Sequence, residues 1–263
     1  MSQDANFAGD AMITLRRFAL SLAVLLLAGT AHAGQILLIG VENQQYQPLY
    51  TYEKGIYKGF ARELFDAFAQ DRGYRVEYRA LPVPRLYASF LAGELDFKFP
   101  DNASWKQDLR IGKQIHYSAP VLASIDGTSV LPDRMRVPAD KIRRLGTLSG
   151  FTPWAWMDRL RTGNTTLSEN TRLDALVLQA LADRVDGVYA NVAVINYQLD
   201  HVLKQPGALV FNPSLPFSRD YYHLASIKHP QILLEFNAWQ KANRDRIALL
   251  KRKFGVEKGV PAR

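Results

Sequence analysis

Apolar and polar positions alternate most plainly just after Gly93. Leu95, Phe97 and Phe99 stand at every second position, the period that turns one face of a strand toward a core. This predicts a strand over Glu94 to Phe99 that stops at Pro100 and opens into a short polar turn, Asp101-Asn102-Ala103-Ser104-Trp105. In open α/β sheets, ligands sit beyond the carboxyl ends of strands, where such a turn would lie. The same order of helix end, turn, apolar-Asp pair and strand returns from Ala180 to Asn191, and both copies finish on an Asn. Two lobes whose polar strand ends face each other would enclose a cleft.

The rest of the chain fits around that cleft. Ile36 to Val41 is a continuous apolar run suited to a strand buried on both faces. Glu42 to Tyr57 reads as a polar, aromatic loop. Phe60, Leu64, Phe65 and Phe68 recur at helical spacing up to Gly73, Val76 to Leu81 is the next strand, and Leu86, Phe90 and Leu91 mark a helix ending at Gly93. This βαβαβ alternation predicts a parallel sheet flanked by helices. Val121 to Ser124 and Thr128 to Leu131 read as extended crossing segments with Asp126-Gly127 as a turn. A second α/β unit follows: a strand at Leu145 to Leu148, helices after Thr152 and over Leu173 to Ala182, a strand at Val185 to Tyr189 and a helix over Val192 to Leu203. Tyr221 to Ile227 is again extended, and Pro230 to Ile247 and Ala248 to Phe254 are helices. The expected division is residues 1–33 as a signal peptide, 34–125 with 213–263 as lobe 1, and 126–212 as lobe 2, with hinges near Ala123 to Gly127 and Asn212 to Phe217.

Composition narrows the function. With 48% hydrophobic and 22% charged residues in 263, the chain can bury a real core. The formal charge of +8 comes from 33 Lys and Arg scattered among 25 acids, which gives no nucleic-acid stripe. The one tight basic cluster, Arg244 to Lys253, reads as the solvated face of a C-terminal helix. Arg16-Arg17, the apolar run Phe18 to Ala28 and Ala31-His32-Ala33 form the three regions of a secretory signal with cleavage after Ala33. Met1 to Ala11 fit no such signal, so Met12 is an alternative start. The apolar run is short of the roughly 20 residues a membrane span needs. The expected location is the periplasm. Cysteine is absent, which excludes disulfides, thiol catalysis and thiolate metal sites. The histidines are dispersed, and the nucleophile elbow, P-loop and dinucleotide fingerprints are missing, so no catalytic residue, metal or cofactor is expected.

Several landmarks together resemble the bacterial extracellular solute-binding proteins of family 3, which have the type II periplasmic binding-protein fold. They are Tyr46-Gln47-Pro48, Gly59-Phe60, Gly73, Gly93-Glu94-Leu95-Asp96, Tyr117-Ser118-Ala119-Pro120, Leu145 to Gly150 and Arg184-Val185-Asp186-Gly187, in the family's order over nearly all of the mature chain. The resemblance implies two lobes, each a mostly parallel sheet flanked by helices, that close on a small polar solute and hand it to a membrane permease; the expected protein is a monomer. It also implies ligand contacts from Asp101, Asn102, Ala103 and Ser104, and a carboxylate-binding Arg that maps to Arg110 when short insertions are allowed. Thr152, after Gly150 and Phe151, fits either a ligand hydroxyl or an ordinary N-cap before Pro153. The acid that relatives use for an α-ammonium falls on Asn191, an amide that cannot neutralise it. That departure favours a less cationic or more aromatic solute, with Tyr46, Tyr50, Trp105, Phe151 or Trp154 as stacking walls. Lys98 reads as a solvated residue on the face opposite Phe97 and Phe99. Two other readings stay open: a sensor that reports closure to a membrane receptor, and a cyclohexadienyl dehydratase-like enzyme using Glu42, Asp101 or His223.

Overall fold

The computed structural model describes residues 34–260; the expected signal segment lies outside them. The strands are β1 (Ile36–Glu42), β2 (Gln45–Tyr46), β3 (Tyr50–Glu53), β4 (Ile56–Lys58), β5 (Arg75–Leu81), β6 (Phe97–Asp101), β7 (His116–Tyr117), β8 (Leu122–Val130), β9 (Arg144–Leu148), β10 (Thr166–Asn170), β11 (Gly187–Asn191), β12 (Val210–Phe211) and β13 (Ser218–Ser226). The helices are α1 (Phe60–Arg72), α2 (Val83–Leu91), α3 (Met157–Arg161), α4 (Leu173–Leu181), α5 (Val192–Tyr197), α6 (Pro230–Ala242) and α7 (Arg244–Phe254).

The main strands run in the order β10-β9-β11-β8-β13-β6-β1-β5. At one end β6, β1 and β5 are parallel, and at the other β11, β9 and β10 are parallel. The two parallel halves are joined by the antiparallel pair β8 and β13, in register from Ser218 opposite Asp126 to Tyr222 opposite Leu122. Two long neighbouring strands thus carry the chain between the halves.

The repeated apolar-Asp pair, Leu95-Asp96 and Val185-Asp186, has a structural role. Asp96 accepts the Leu38 N–H at 2.9 Å, and Asp186 accepts the N–H groups of Arg143 and Arg144 at 2.8 Å each. Each carboxylate pins the start of a neighbouring strand, β1 in one half and β9 in the other, and so fixes where the opposite, carboxyl ends emerge. Aromatic packing then holds helices to sheet: Phe65 of α1 meets Phe99 of β6 edge-on at 5.0 Å and lies 5.7 Å from Phe236 of α6. Burial of such a ring is worth roughly 1.5–3 kcal/mol.

Four expectations are corrected, and one strand is new. The strand over Glu94 to Phe99 begins later and continues through Pro100 to Asp101, with an irregularity in its pairing to β13 where proline offers no N–H. Asp126-Gly127 is not a turn: β8 is continuous from Leu122 to Val130. Its glycine is there for close approach, since a Cβ at Gly127 would stand 2.4 Å from the Phe211 ring. The stretch expected as a loop after Glu42 is a small antiparallel sheet, β2-β3-β4. Lys54 and Gly55 both take positive φ at its tip, the backbone of a tight hairpin turn. The strand β10 went unread because Thr-Leu-Ser-Glu-Asn is polar and sits at a sheet edge. The last helix pair breaks at Asn243, not after Ile247.

Candidate functional site

The carboxyl ends of β1, β6, β9 and β11 converge on a cavity of about 630 Å³, including its open mouth. One half supplies Glu42 from β1, Tyr46 and Tyr50 from the small sheet, Val83 and Tyr87 from α2, and Pro100, Trp105 and Lys106 from the segment ending β6. The other supplies Gly150, Phe151, Thr152 and Trp154 after β9, and Tyr189 and Ala190 from β11. Asp126 and Tyr222 of the joining strands complete the wall. The placement follows from the parallel connectivity, which puts the loops after those strands at one edge.

The two halves touch across this cavity. The Asn191 N–H donates to the Tyr46 hydroxyl at 3.2 Å, and Phe151 meets the Tyr46 ring edge-on at 5.3 Å. Tyr46 in turn stacks on Tyr50 at 5.4 Å, and Trp105 meets Tyr222 edge-on at 5.7 Å. Gly150 (φ +86°) lets the chain pass close to α2, since a Cβ there would lie 3.2 Å from Val83 Cβ.

The wall carries two carboxyls that form no ion pair among the described residues. Glu42 is 5% exposed and accepts a hydrogen bond from the Tyr50 hydroxyl. Burial raises its pKa, against the opposing pull of that hydroxyl. Burial pushes the Asp126 carboxyl up to about 7; the Tyr222 hydroxyl, 3.4 Å away, opposes this, and the charges of Asp220 and Glu42 reinforce it. Burial also holds the hydroxyls of Tyr46, Tyr50 and Tyr222 well above their ordinary range, so all three are neutral hydrogen-bonding groups at pH 7. Lys106, half-exposed, is the one basic side chain of the wall.

Behind the wall lies an ionic cluster. Arg110 grips Asp101 with two bonds, Nη2 to Oδ1 at 2.6 Å and Nη1 to Oδ2 at 3.2 Å. Two more of its five N–H donors go to the Trp105 carbonyl at 2.6 Å and to the Tyr117 hydroxyl. Lys98 completes the cluster, donating to the Pro100 carbonyl at 2.7 Å and lying 3.2 Å from Asp101 Oδ1. Burial alone would lower the Lys98 pKa, but Asp101, with Tyr87 and Glu42, holds it above the ordinary value.

These positions sort the expected site residues. Tyr46, Trp105, Phe151 and Thr152 are on the wall, as are Tyr50 and Trp154. Asp101, Asn102, Ala103, Ser104, Arg110 and Asn191 are not among the lining residues. Asn102 builds its own turn, accepting from Ser104 N at 2.8 Å and Ser104 Oγ at 2.7 Å and donating to the Tyr221 carbonyl; Ala103 and Ser104 face solvent. Asn191 caps α5, accepting from the N–H groups of Ala193 and Val194, while its amide donates to Tyr222 Oη at 3.2 Å. Thr152 makes no capping bond, because the chain turns through a single 3₁₀ turn at Trp154–Trp156 before α3. Lys98 is fully buried, a correction to its expected solvated place: β6 is covered on both faces, and Tyr87 of α2 lies over the ammonium at 4.3 Å. His223 binds the Ser118 carbonyl and is not in the wall. Sequence reasoning missed Asp126, which looked like turn chemistry, and Tyr87, Lys106, Tyr189 and Tyr222, whose strand and helix positions carried no distinguishing spacing.

No group of three or more His, Asp or Glu among the described residues could hold a metal ion, and no helix among them is long and apolar enough to cross a membrane. No protein family matches the sequence. No curated protein matches it either. Solved structures do match. A mutant of the arginine-binding protein ArgBP from T. maritima superposes with TM-score 0.65 at 17% identity, over 83% of this chain and 94% of that one. ArtJ, an arginine-, lysine- and histidine-binding protein of Geobacillus stearothermophilus, gives 0.67 at 16% identity, over 84% and 95%. The ancestral amino acid-binding protein AncCDT-1, a precursor of cyclohexadienyl dehydratase, gives 0.66 at 18% identity, over 83% and 95%. The chain has the two-lobe periplasmic binding-protein fold that its sequence resemblance implied.

Proposed function

We propose that this protein is an exported solute-binding protein that captures a small polar solute between two lobes and presents it to a membrane permease. The observation that carries this reading is the cavity itself, walled from both halves and bridged by the Tyr46 to Asn191 contact. A solute that touches both walls only when they meet selects the closed state by its differential affinity. Lobe 1 would comprise residues 34–125 and 213–263 and lobe 2 residues 126–212, moving about the paired strands β8 and β13. The segment before Gly34 would direct export and be removed after Ala33. The described structures with this fold include amino acid-binding proteins, which supports a nitrogen-containing solute. Binding needs no cofactor, and the reading assigns no turnover.

A thermal-shift screen of amino acids, organic acids, amines and sugars tests this, because a ligand that binds only the folded state raises Tm. A clear rise with one chemical class is expected; a protein that nothing in the panel stabilises contradicts the reading. One observation favours a second reading, an acid-base elimination in the same cavity: the Asp126 carboxyl titrates near neutrality beside Glu42. Prephenate and arogenate are anionic, however, and the wall offers them two carboxyls and one half-exposed Lys106. Release of product from either compound would establish that reading.

A further inference from the structure

The wall of the cavity says what charge its guest carries. A carboxylate taken out of water needs a paired, hydrogen-bonded cation, and a planar fork from Arg serves it best. Arg110 is the residue that the family resemblance assigns to that task, yet four of its five N–H groups are committed to Asp101, the Trp105 carbonyl and Tyr117. Lys98 is committed to Asp101 and the Pro100 carbonyl and is not in the wall. What the cavity does present is opposite in sign: Glu42 and Asp126, neither in an ion pair among the described residues.

Around those carboxyls stand aromatic rings, including Tyr46, Tyr50, Trp105 and Tyr222. The negative face of an aromatic ring attracts a cation, most strongly where water is excluded. Carboxyls and aromatic rings together line the site, favouring a positive group and disfavouring a negative one. The apolar side of the same rings suits a carbon skeleton.

We propose that the guest is an organic cation without a carboxylate, an amine or guanidine whose positive group is held by Glu42 and Asp126 among the tyrosine rings. This rests on the solute-binding reading and narrows it. The free α-amino acids would be the poorer ligands, since their carboxylate meets two like charges and no free fork.

The test compares pairs that differ only in that carboxylate: agmatine with arginine, cadaverine with lysine, tyramine with tyrosine, measured by calorimetry on the mature protein at pH 8. In at least one pair the amine is expected to bind roughly tenfold or more tightly than its amino acid. Glu42→Gln and Asp126→Asn should each weaken that amine by a similar factor, and Lys106→Gln, which removes a like charge, should tighten it severalfold. Melting curves of the ligand-free variants separate lost binding from lost folding. If in every pair that binds the amino acid matches or exceeds its amine, or if Lys106→Gln loses affinity, this inference is overturned and the solute-binding reading stays in place. The same holds if only sugars or organic acids bind. If no compound of any class binds, both fall.

Discussion

Arg110 and Asp101 meet in a two-bond fork with Nη2 2.6 Å from Oδ1, almost wholly out of solvent. The pair welds the turn after β6 to the short 3₁₀ segment Gln107–Arg110, and with Lys98 it places two cations on one carboxylate. Removing that carboxylate leaves both cations buried and unpaired. Asp101→Ala should therefore cost about 3–5 kcal/mol of stability, read as a lower denaturant midpoint. Glu63→Ala, which opens the exposed Lys253 pair, should cost less than about 1 kcal/mol. Equal costs would mean that the buried cluster is not the anchor of this turn.

Asp126 sets a pH dependence. Its carboxyl faces Glu42 of β1, Tyr46 of β2, Tyr189 of β11 and Asp220 and Tyr222 of β13. With a native pKa of about 7 against an ordinary 3.8, the folded protein keeps a proton that the unfolded chain has released. This group's contribution to stability therefore declines as pH rises from about 4 to about 7 and is level above. A cationic guest favours the ionised form, so its affinity should rise with pH over the same range, by up to about tenfold per unit below the pKa, and flatten above it. Calorimetry from pH 5 to 8 on the wild type and on Asp126→Asn checks this. The variant should be weaker at pH 8 and nearly flat across the series.

Gly150 tests the contact between the halves. It holds a φ of +86° with Val83 facing the space where a Cβ would go. An alanine there bears the left-handed backbone, about 1–2 kcal/mol, and pushes on α2 across the cleft. Gly150→Ala should weaken solute binding severalfold. Val83→Ala in the same chain should restore part of the loss if the wedge, rather than the backbone, is responsible.

Asn191 separates scaffold from wall. Its side chain caps α5 and reaches Tyr222, so Asn191→Ala should lower stability by about 0.5–2 kcal/mol in the ligand-free protein. A variant of unchanged stability that nonetheless loses affinity would make Asn191 a ligand contact instead of a cap.

The fold was legible because its signals are local. Leu95, Phe97 and Phe99 at period two, the α1 apolar face and the repeated apolar-Asp pair each follow from short-range geometry, and Asp96 and Asp186 are seen pinning strands. The aromatic wall was legible for the same reason, since Tyr46, Tyr50, Trp105, Phe151 and Trp154 follow strand ends. The charges were not. Whether Arg110 faces a ligand or Asp101 depends on a partner nine positions away folding back under the turn, and Lys98 is buried because α2 covers β6. Asp126-Gly127 carries turn chemistry in sequence, while β11 and β13 pair it on both sides. Such facts belong to tertiary packing, which no spacing along the chain encodes.

The central claim is that two halves close on a guest, and it can be measured directly. The strands β5 and β10 are the outer ends of the sheet, Glu77 and Thr166 are exposed on them, and the chain has no cysteine of its own. Spin labels on Glu77→Cys and Thr166→Cys report the separation of the halves by pulsed dipolar spectroscopy. Saturation with the solute found by the thermal screen should collapse the distance distribution to a single shorter value. A distribution that is the same with and without bound solute contradicts the account.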